Sequence, residues 1–167
     1  MTSFKAIIGS SLFLVLFSNF TFFKNVTDVY EVSWGNIGFL ISLALFLMIV
    51  MILLIRLVSS RYTLKPIIIA LLLVSATTSY FMNTYHVIID DTMIQNMAET
   101  NVGESLDLLT FKLAIYVLLL GVLPSFVIYK VKITYGTFKE EFWITLKTLL
   151  FCIVLIATIL FSFSKFY

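Results

Sequence analysis

Five long stretches without charge divide the chain. The charged residues that bound these stretches are Lys5 and Lys24, Glu31 and Arg56, Lys65 and Asp90, Lys112 and Lys130, and Lys147 and Lys165. The uncharged stretches are 17 to 24 residues long, and a helix needs about 20 apolar residues, with roughly 17–25 tolerated, to cross a bilayer. Residues 39–55 are apolar on every side apart from Ser42 and do not alternate as the strands of a membrane barrel do. The pattern predicts an all-α membrane protein with five transmembrane helices, over about residues 6–23, 35–57, 66–84, 112–129 and 147–164.

Composition excludes the other classes of protein. The 167 residues are 61% hydrophobic and 12% charged, whereas a soluble domain is about 45–50% apolar and roughly 25% charged. A chain of this length has too little interior to bury so much apolar surface. Seventeen Phe and eight Tyr exclude intrinsic disorder, and a scattered net charge of +2 argues against a nucleic-acid partner. Membrane lipids are therefore the expected surroundings. Residues 6–23 lack a small-x-small cleavage site, which predicts an uncleaved anchor rather than a signal peptide.

The Lys and Arg residues predict the orientation in the membrane. With a cytoplasmic N-terminus, eight of them face inside and three outside. The inside set is Lys5, Arg56, Arg61, Lys65, Lys130, Lys132, Lys139 and Lys147, and the outside set is Lys24, Lys112 and Lys165. Five spans from a cytoplasmic start predict an exterior C-terminus.

Few residues in the chain are suited to metal or nucleophilic chemistry. Cys152 is the only cysteine and His86 the only histidine, which argues against an internal disulfide, a structural zinc site or a His-dependent catalytic triad. We therefore predict no catalytic residue and no metal ligand within this chain.

The exterior segment 85–111 is the longest polar stretch and has helical periodicity. Three stripes spaced four residues apart consist of Ile89, Met93 and Met97, of Asp91, Gln95 and Glu99, and of Thr92, Asn96 and Thr100. Asn101 and Glu104 have the spacing of a capping box that starts a second helix. The pattern predicts short amphipathic helices on the outer membrane surface, with polar side chains at headgroup depth. A solvated loop with helix caps remains an alternative, although about 2–8 residues suffice for a connector.

Several motifs resemble the lipid A phosphoethanolamine transferases, a family that includes the mobile colistin-resistance enzymes. The most specific are Ser79–Tyr85, Asp90–Asn96 and Glu99-Thr100. Asn19–Phe23, Leu64–Pro66, Asp107–Leu109 and Gly121–Ser125 also match, so the resemblance covers essentially the whole chain. His86 departs from the pattern, because a glycine is expected there in many relatives.

The resemblance implies a function that extends beyond this chain. Family members are inner-membrane proteins with five N-terminal spans and a periplasmic catalytic domain of alkaline-phosphatase-like α/β fold, which carries zinc and a threonine nucleophile. They move phosphoethanolamine from phosphatidylethanolamine to lipid A, which gives polymyxin resistance. We therefore expect residues 1–167 to be the membrane anchor and lipid-docking domain, inactive without a catalytic domain that is absent from this chain.

Candidate substrate-binding residues follow from the same resemblance. Asn96, Thr100 and Glu104 match family positions implicated in holding the ethanolamine substrate. Glu104 is suited to pair with the ammonium group, and Asn96 and Thr100 are suited to hydrogen-bond the phosphate. Further candidates are Tyr85, Asp91 and Gln95, for which orienting or surface roles are alternatives.

Two alternatives stay open at this point. The polar residues predicted within the spans, Asn19, Asn36, Ser75, Thr77, Thr78 and Asn83, either bond between helices, as such groups commonly do in membrane bundles, or line a polar path. For the whole chain, the alternative function is a self-contained five-span binding or assembly protein without catalytic activity.

Overall fold

The computed structural model describes residues 1–85 and 109–165, and every regular element in these ranges is helical. The elements are α1 (Ser3–Ser18), α2 (Phe20–Val29), α3 (Ile37–Val58), α4 (Leu64–Tyr85), α5 (Phe111–Val117), a π-helical turn π1 (Leu118–Val122), α6 (Leu123–Lys130) and α7 (Phe138–Ser162). Four spans, with α5 to α6 counted as one, are long and apolar enough to cross a membrane, and the bent pair α1–α2 makes a fifth if it is one span. The predicted all-α membrane architecture is confirmed. The amphipathic helices predicted within 85–111 fall mostly outside the described residues.

The first predicted span, residues 6–23, contains a break. α1 ends at Ser18, and α2 leaves it at an angle of 60°. The Asn19 side chain donates a hydrogen bond to the Leu14 carbonyl at 3.0 Å, so the side chain at the break bonds back to the last turn of α1. The predicted connector 24–34 is thus helical as far as Val29.

The last helix begins about nine residues before the span predicted at 147. Thr137 and Glu140 form a capping box, in which the Glu140 carboxylate accepts from the Thr137 N–H at 2.7 Å and the Thr137 hydroxyl accepts from the Glu140 N–H at 3.4 Å. The box satisfies two N–H groups at the helix start. Much of the stretch between the fourth and fifth predicted spans, residues 130–146, is therefore helix.

α1 is packed between α3 and α4, α3 also packs on α7, and α4 packs on α5, π1 and α6. The buried face of α1 is rich in small residues, namely Ser3, Ala6, Ser10 and Ser11, which allow helix backbones to approach closely. The core between the helices is formed by Ile7, Leu14, Ile49, Ile52, Ile55, Leu64, Ile68, Leu72 and Cys152. Cys152 is therefore a small core residue.

The π turn accommodates a proline in the fourth span. Pro124 has no N–H and its ring clashes with the carbonyl four residues earlier in an α-helix. The Leu123 N–H instead bonds to the Leu118 carbonyl, five residues back, and Gly121 lies against α4. A Cβ at Gly121 would come within 3.2 Å of the Leu73 side chain and 3.3 Å of Ala76. Gly121 is thus required for the close approach of π1 to α4.

A buried ion pair ties helices together at one end of the bundle, which we call the Arg56 end. Arg56, the side chain of which is 5% exposed, donates from Nη2 to the Glu141 carboxylate at 2.8 Å. The same carboxylate accepts from the Ser3 hydroxyl at 3.1 Å and from the Gly136 N–H at 3.2 Å. One side chain of α7 therefore holds α1, α3 and the connector 131–137.

The chain start adds further bonds at this end. The Met1 amino group donates to the Lys132 carbonyl at 3.0 Å, and the Met1 carbonyl accepts from the Thr134 N–H at 3.0 Å. Lys65 donates to the Tyr129 carbonyl at 2.9 Å. Tyr135 lies in the same connector, where burial and then the Glu141 carboxylate raise the pKa of its phenol. The connector is thus packed into the bundle.

We expect Arg56→Met to lower the stability of the protein by about 2 kcal/mol, because Glu141 would keep its burial and lose its cation. This corresponds to a fall in melting temperature of about 4–8 °C in detergent micelles, measured by thermal unfolding. Arg61→Met is the matched control, since Arg61 is exposed and contacts only the Tyr135 ring face, at 6.0 Å. Equal melting temperatures for the two variants would contradict the role given to Arg56.

Candidate functional site

The principal residues of the predicted substrate site lie outside the described residues. These are Asn96, Thr100 and Glu104, together with Asp91 and Gln95 and the family departure His86. Tyr85 is described and is 43% exposed at the end of α4. The structure therefore informs on this site through the residues that flank the segment 86–108, at the end of the bundle opposite Arg56.

A hydrogen bond joins the two flanks of this segment. The Tyr80 hydroxyl lies 2.7 Å from the Thr110 hydroxyl, although Tyr80 precedes the segment and Thr110 follows it. Tyr80 is 1% exposed. Thr110 also accepts from the Leu113 N–H at 3.2 Å and so caps α5. The contact joins α4 to the start of α5, so the described residues on either side of the 23-residue segment 86–108 are held together.

Asn83 extends these contacts to three helices. Its amide nitrogen donates to the Tyr116 hydroxyl at 2.7 Å on α5, and its amide oxygen accepts from the Thr21 hydroxyl on α2. Asn83 is thus one of the predicted polar residues that bond between helices. Asn19, Asn36 and Thr77 instead donate to backbone carbonyls within six residues in the chain.

Aromatic rings surround these polar groups. The Tyr80 ring has edge-to-face contacts with Phe81, Tyr85 and Tyr116 at centroid distances of 5.4, 6.4 and 5.8 Å, and Phe81 and Tyr85 stack at 5.8 Å. We call Tyr80, Asn83, Tyr85, Thr110 and Tyr116 the Tyr80 cluster, and this end of the bundle the Tyr80 end. The partly exposed Tyr85 ring lies at the edge of this group of aromatic rings.

An apolar groove adjoins the Tyr80 cluster. It has a volume of about 400 Å³ and is lined by Phe111, Lys112, Ile115, Tyr116, Leu119 and Leu120. Tyr116 belongs to both the groove and the cluster, and Lys112 supplies a positive charge. All six lining residues belong to α5 and π1, so the groove is a shallow feature on the exposed face of one span, where lipid acyl chains lie.

Metal-binding chemistry is not found in the part of the chain that the structure describes, because no three His, Cys, Asp or Glu side chains there lie close enough to hold an ion.

The polar partners of Tyr80 and Asn83 were not identified by sequence reasoning. Tyr80 belongs to the motif Ser79–Tyr85, but its pairing with Thr110 spans 30 residues and has no periodic signal.

Known proteins match this chain both in sequence family and in fold. The family model described as phosphoethanolamine transferase EptA/EptB matches residues 47–167. The chain is 43% identical over 130 residues to phosphatidylethanolamine transferase Mcr-2 of Escherichia coli, covering 78% of the chain and 24% of that relative. It is 35% identical over 168 residues to phosphatidylethanolamine transferase Mcr-1 of Escherichia coli, covering 100% of the chain and 31% of that relative.

The helical arrangement also matches a solved structure. The integral membrane protein lipooligosaccharide phosphoethanolamine transferase A (EptA) from Neisseria meningitidis aligns with a TM-score of 0.88 at 23% identity, over 95% of this chain and 30% of that one. The likeness shows a shared membrane fold. The chain spans about a quarter to a third of the length of the proteins it matches.

We expect Tyr80→Phe to destabilise the protein by about 1 kcal/mol, because the variant loses the hydrogen bond that a buried hydroxyl shares with Thr110. The melting temperature should fall by about 2–4 °C in thermal unfolding in detergent. Tyr62→Phe is the control, because Tyr62 is 86% exposed. This substitution should leave the melting temperature unchanged. A Tyr80→Phe protein as stable as the control would show that the bond to Thr110 contributes nothing.

Proposed function

Because the chain belongs to the phosphoethanolamine transferase EptA/EptB family, we propose that it is the membrane anchor and lipid-substrate-docking domain of a phosphoethanolamine transferase. The proposed reaction moves phosphoethanolamine from phosphatidylethanolamine to lipid A and thereby gives polymyxin and colistin resistance. The observation that carries the proposal is the family match over 47–167. The EptA-like arrangement of the helices supports it. No observation favours a self-contained binding or assembly protein.

The transfer reaction is proposed for the whole protein, of which this chain would be the membrane part. The zinc ion and the threonine nucleophile are assigned to a periplasmic catalytic domain, the partner of this chain. Zinc bound there would lower the threonine pKa and stabilise charge on the transferring phosphoryl group. The residues of this chain would bind and orient the lipid.

In the proposed docking role, three groups of residues bind different parts of the lipid substrate. Glu104 pairs with the ethanolamine ammonium, and Asn96 and Thr100 donate hydrogen bonds to the phosphate. The acyl chain lies in the groove beside Tyr116. The contacts of the Tyr80 cluster support this assignment, because they hold both flanks of segment 86–108 next to that groove. The exposed Tyr85 ring adds a face that attracts an ammonium group.

The proposed orientation has the Arg56 end in the cytoplasm and the Tyr80 end in the periplasm of the inner membrane. Arg56, Lys65 and Lys130 lie at the cytoplasmic end in this orientation, as the distribution of basic residues in membrane proteins favours. Phe163, just after α7, lies against Gly38 at the start of α3, since its ring would be 3.5 Å from a Cβ there. A catalytic domain that follows α7 would therefore leave the membrane on the same side as segment 86–108.

A reporter fused after Tyr167 tests the orientation. Alkaline phosphatase, which is active only in the periplasm, should be active in this fusion, and a cytoplasmic reporter at the same position should be silent. Fusion after Lys132 is the matched control and should give the reverse pattern. A cytoplasmic signal after Tyr167 would overturn the proposed topology.

In the full-length protein, we expect Glu104→Gln and Asn96→Ala each to reduce transfer to lipid A at least about tenfold, because each removes a bond to a charged group of the donor lipid. The measurement is mass spectrometry of lipid A from cells that express equal amounts of each protein, checked by immunoblot. Asp28→Asn, which removes an exposed carboxylate on α2 outside segment 86–108, is the control and should transfer normally. Normal transfer by both test variants would refute the substrate-binding role while leaving family membership intact.

A further inference from the structure

A second groove lies at the Arg56 end of the bundle, away from the Tyr80 cluster. α1 and α6 both pack on α4 but leave a gap between them, and Leu72 of α4 forms part of its floor. The gap has a volume of about 640 Å³. Its walls include Lys5, Gly9, Ser10 and Phe13 on α1 and Pro124 and Val127 on α6. We call it the α1–α6 groove.

The depth of the α1–α6 groove matches one leaflet of a bilayer. From Lys5 to Phe13 the α1 wall rises about 12 Å, at about 1.5 Å per residue. Half of a hydrocarbon core of about 30 Å is about 15 Å. Gly9 lies midway along this wall, and a Cβ placed there would have nothing within 4 Å. The groove is therefore open at the level where an acyl chain would lie.

The charge at the mouth of the groove is positive. Lys5 is exposed there, and the Lys130 ammonium lies 5.3 Å from the centre of the Phe126 ring, another wall of the groove. No Asp or Glu lines the groove in the described part of the chain. An anionic headgroup complements this mouth.

A buried hydroxyl without a partner lies below the mouth. Ser10 is 5% exposed, lines the groove, and its Oγ has no hydrogen-bond partner among the described residues. A buried hydroxyl without a partner is costly. Ser10 lies five residues, or about 7.5 Å, deeper along α1 than Lys5. In a phospholipid, the glycerol ester carbonyl likewise lies deeper than the phosphate.

We propose that the α1–α6 groove binds one anionic glycerophospholipid of the leaflet at the Arg56 end. Its phosphate pairs with Lys5, and one acyl chain lies along Gly9 between α1 and α6. The Ser10 hydroxyl, which is buried in the structure, turns toward the groove and donates to an ester carbonyl. This lipid fills the gap between α1 and α6 and completes the packing of the bundle. The site shares Leu119 with the acyl-chain groove of the proposed substrate site, but it does not depend on the transferase assignment.

Native mass spectrometry of the delipidated full-length protein tests the proposal by titration with 1-palmitoyl-2-oleoyl-phosphatidylglycerol. One lipid should bind to the unmodified protein with preference over dioleoylglycerol, which has the same chains without a phosphate. Lys5→Gln should weaken phosphatidylglycerol binding about three- to tenfold. Gly9→Phe, which fills the groove with a side chain, should weaken it by about tenfold or more.

Two control variants keep the result specific to the groove. Lys139→Gln removes an exposed lysine outside the lining, and Leu12→Phe enlarges a half-exposed side chain of α1 that does not line the groove. Both should bind as the unmodified protein does. Unchanged binding in Lys5→Gln and Gly9→Phe, equal binding of dioleoylglycerol, or occupation of the groove by a second copy of the chain would each overturn the proposal. Because Lys5 is exposed, Lys5→Gln tests the proposal even if Gly9→Phe fails to fold.

Discussion

Hydrocarbon offers no hydrogen-bond partner, so a polar group placed within it has to find its partner in the protein. The helices satisfy their own backbones, and several buried polar side chains are paired at the two ends of the bundle. At one end, the Arg56 guanidinium is matched by Glu141, which also accepts from Ser3 and Gly136. At the other end, Tyr80 pairs with Thr110, and Asn83 bonds to two helices. Apolar packing around Ile7 and Ile68 fills the space between.

This division has a consequence for the function of the family. The Tyr80 end joins the flanks of segment 86–108, in which the candidate headgroup residues lie, to a groove suited to an acyl chain. The Arg56 end holds the chain start, α3 and α7 in a fixed arrangement. In the proposed function, the Tyr80 end recognises the lipid substrate, while the Arg56 end maintains the arrangement of the spans that support it.

Several features of the fold were predictable from local patterns, and others were not. The uncharged stretches predicted the spans because hydrocarbon selects against charge over about 20 residues. The break at Asn19 was missed, because an asparagine inside an apolar run is compatible with both a continuous helix and a side chain that ends one. The early start of α7 was missed because charge marked Lys139 and Lys147 as loop residues, although Thr137 and Glu140 have the spacing of a capping box. For the candidate site, Asn96, Thr100 and Glu104 were identified by motif, and they remain predictions.

The sequence by itself determined the class of protein, the approximate spans and the family, because these depend on composition and on short motifs along the chain. Only the tertiary structure decided which polar groups meet. Arg56 and Glu141 are 85 residues apart, and Tyr80 and Thr110 are 30 apart. Their pairing depends on which helices pack together and on the rotation of each helix about its axis. Both are set by close fits between helices, such as that of Gly121 against Leu73 and Ala76. Such fits involve residues distant in the chain, so no local pattern specifies them.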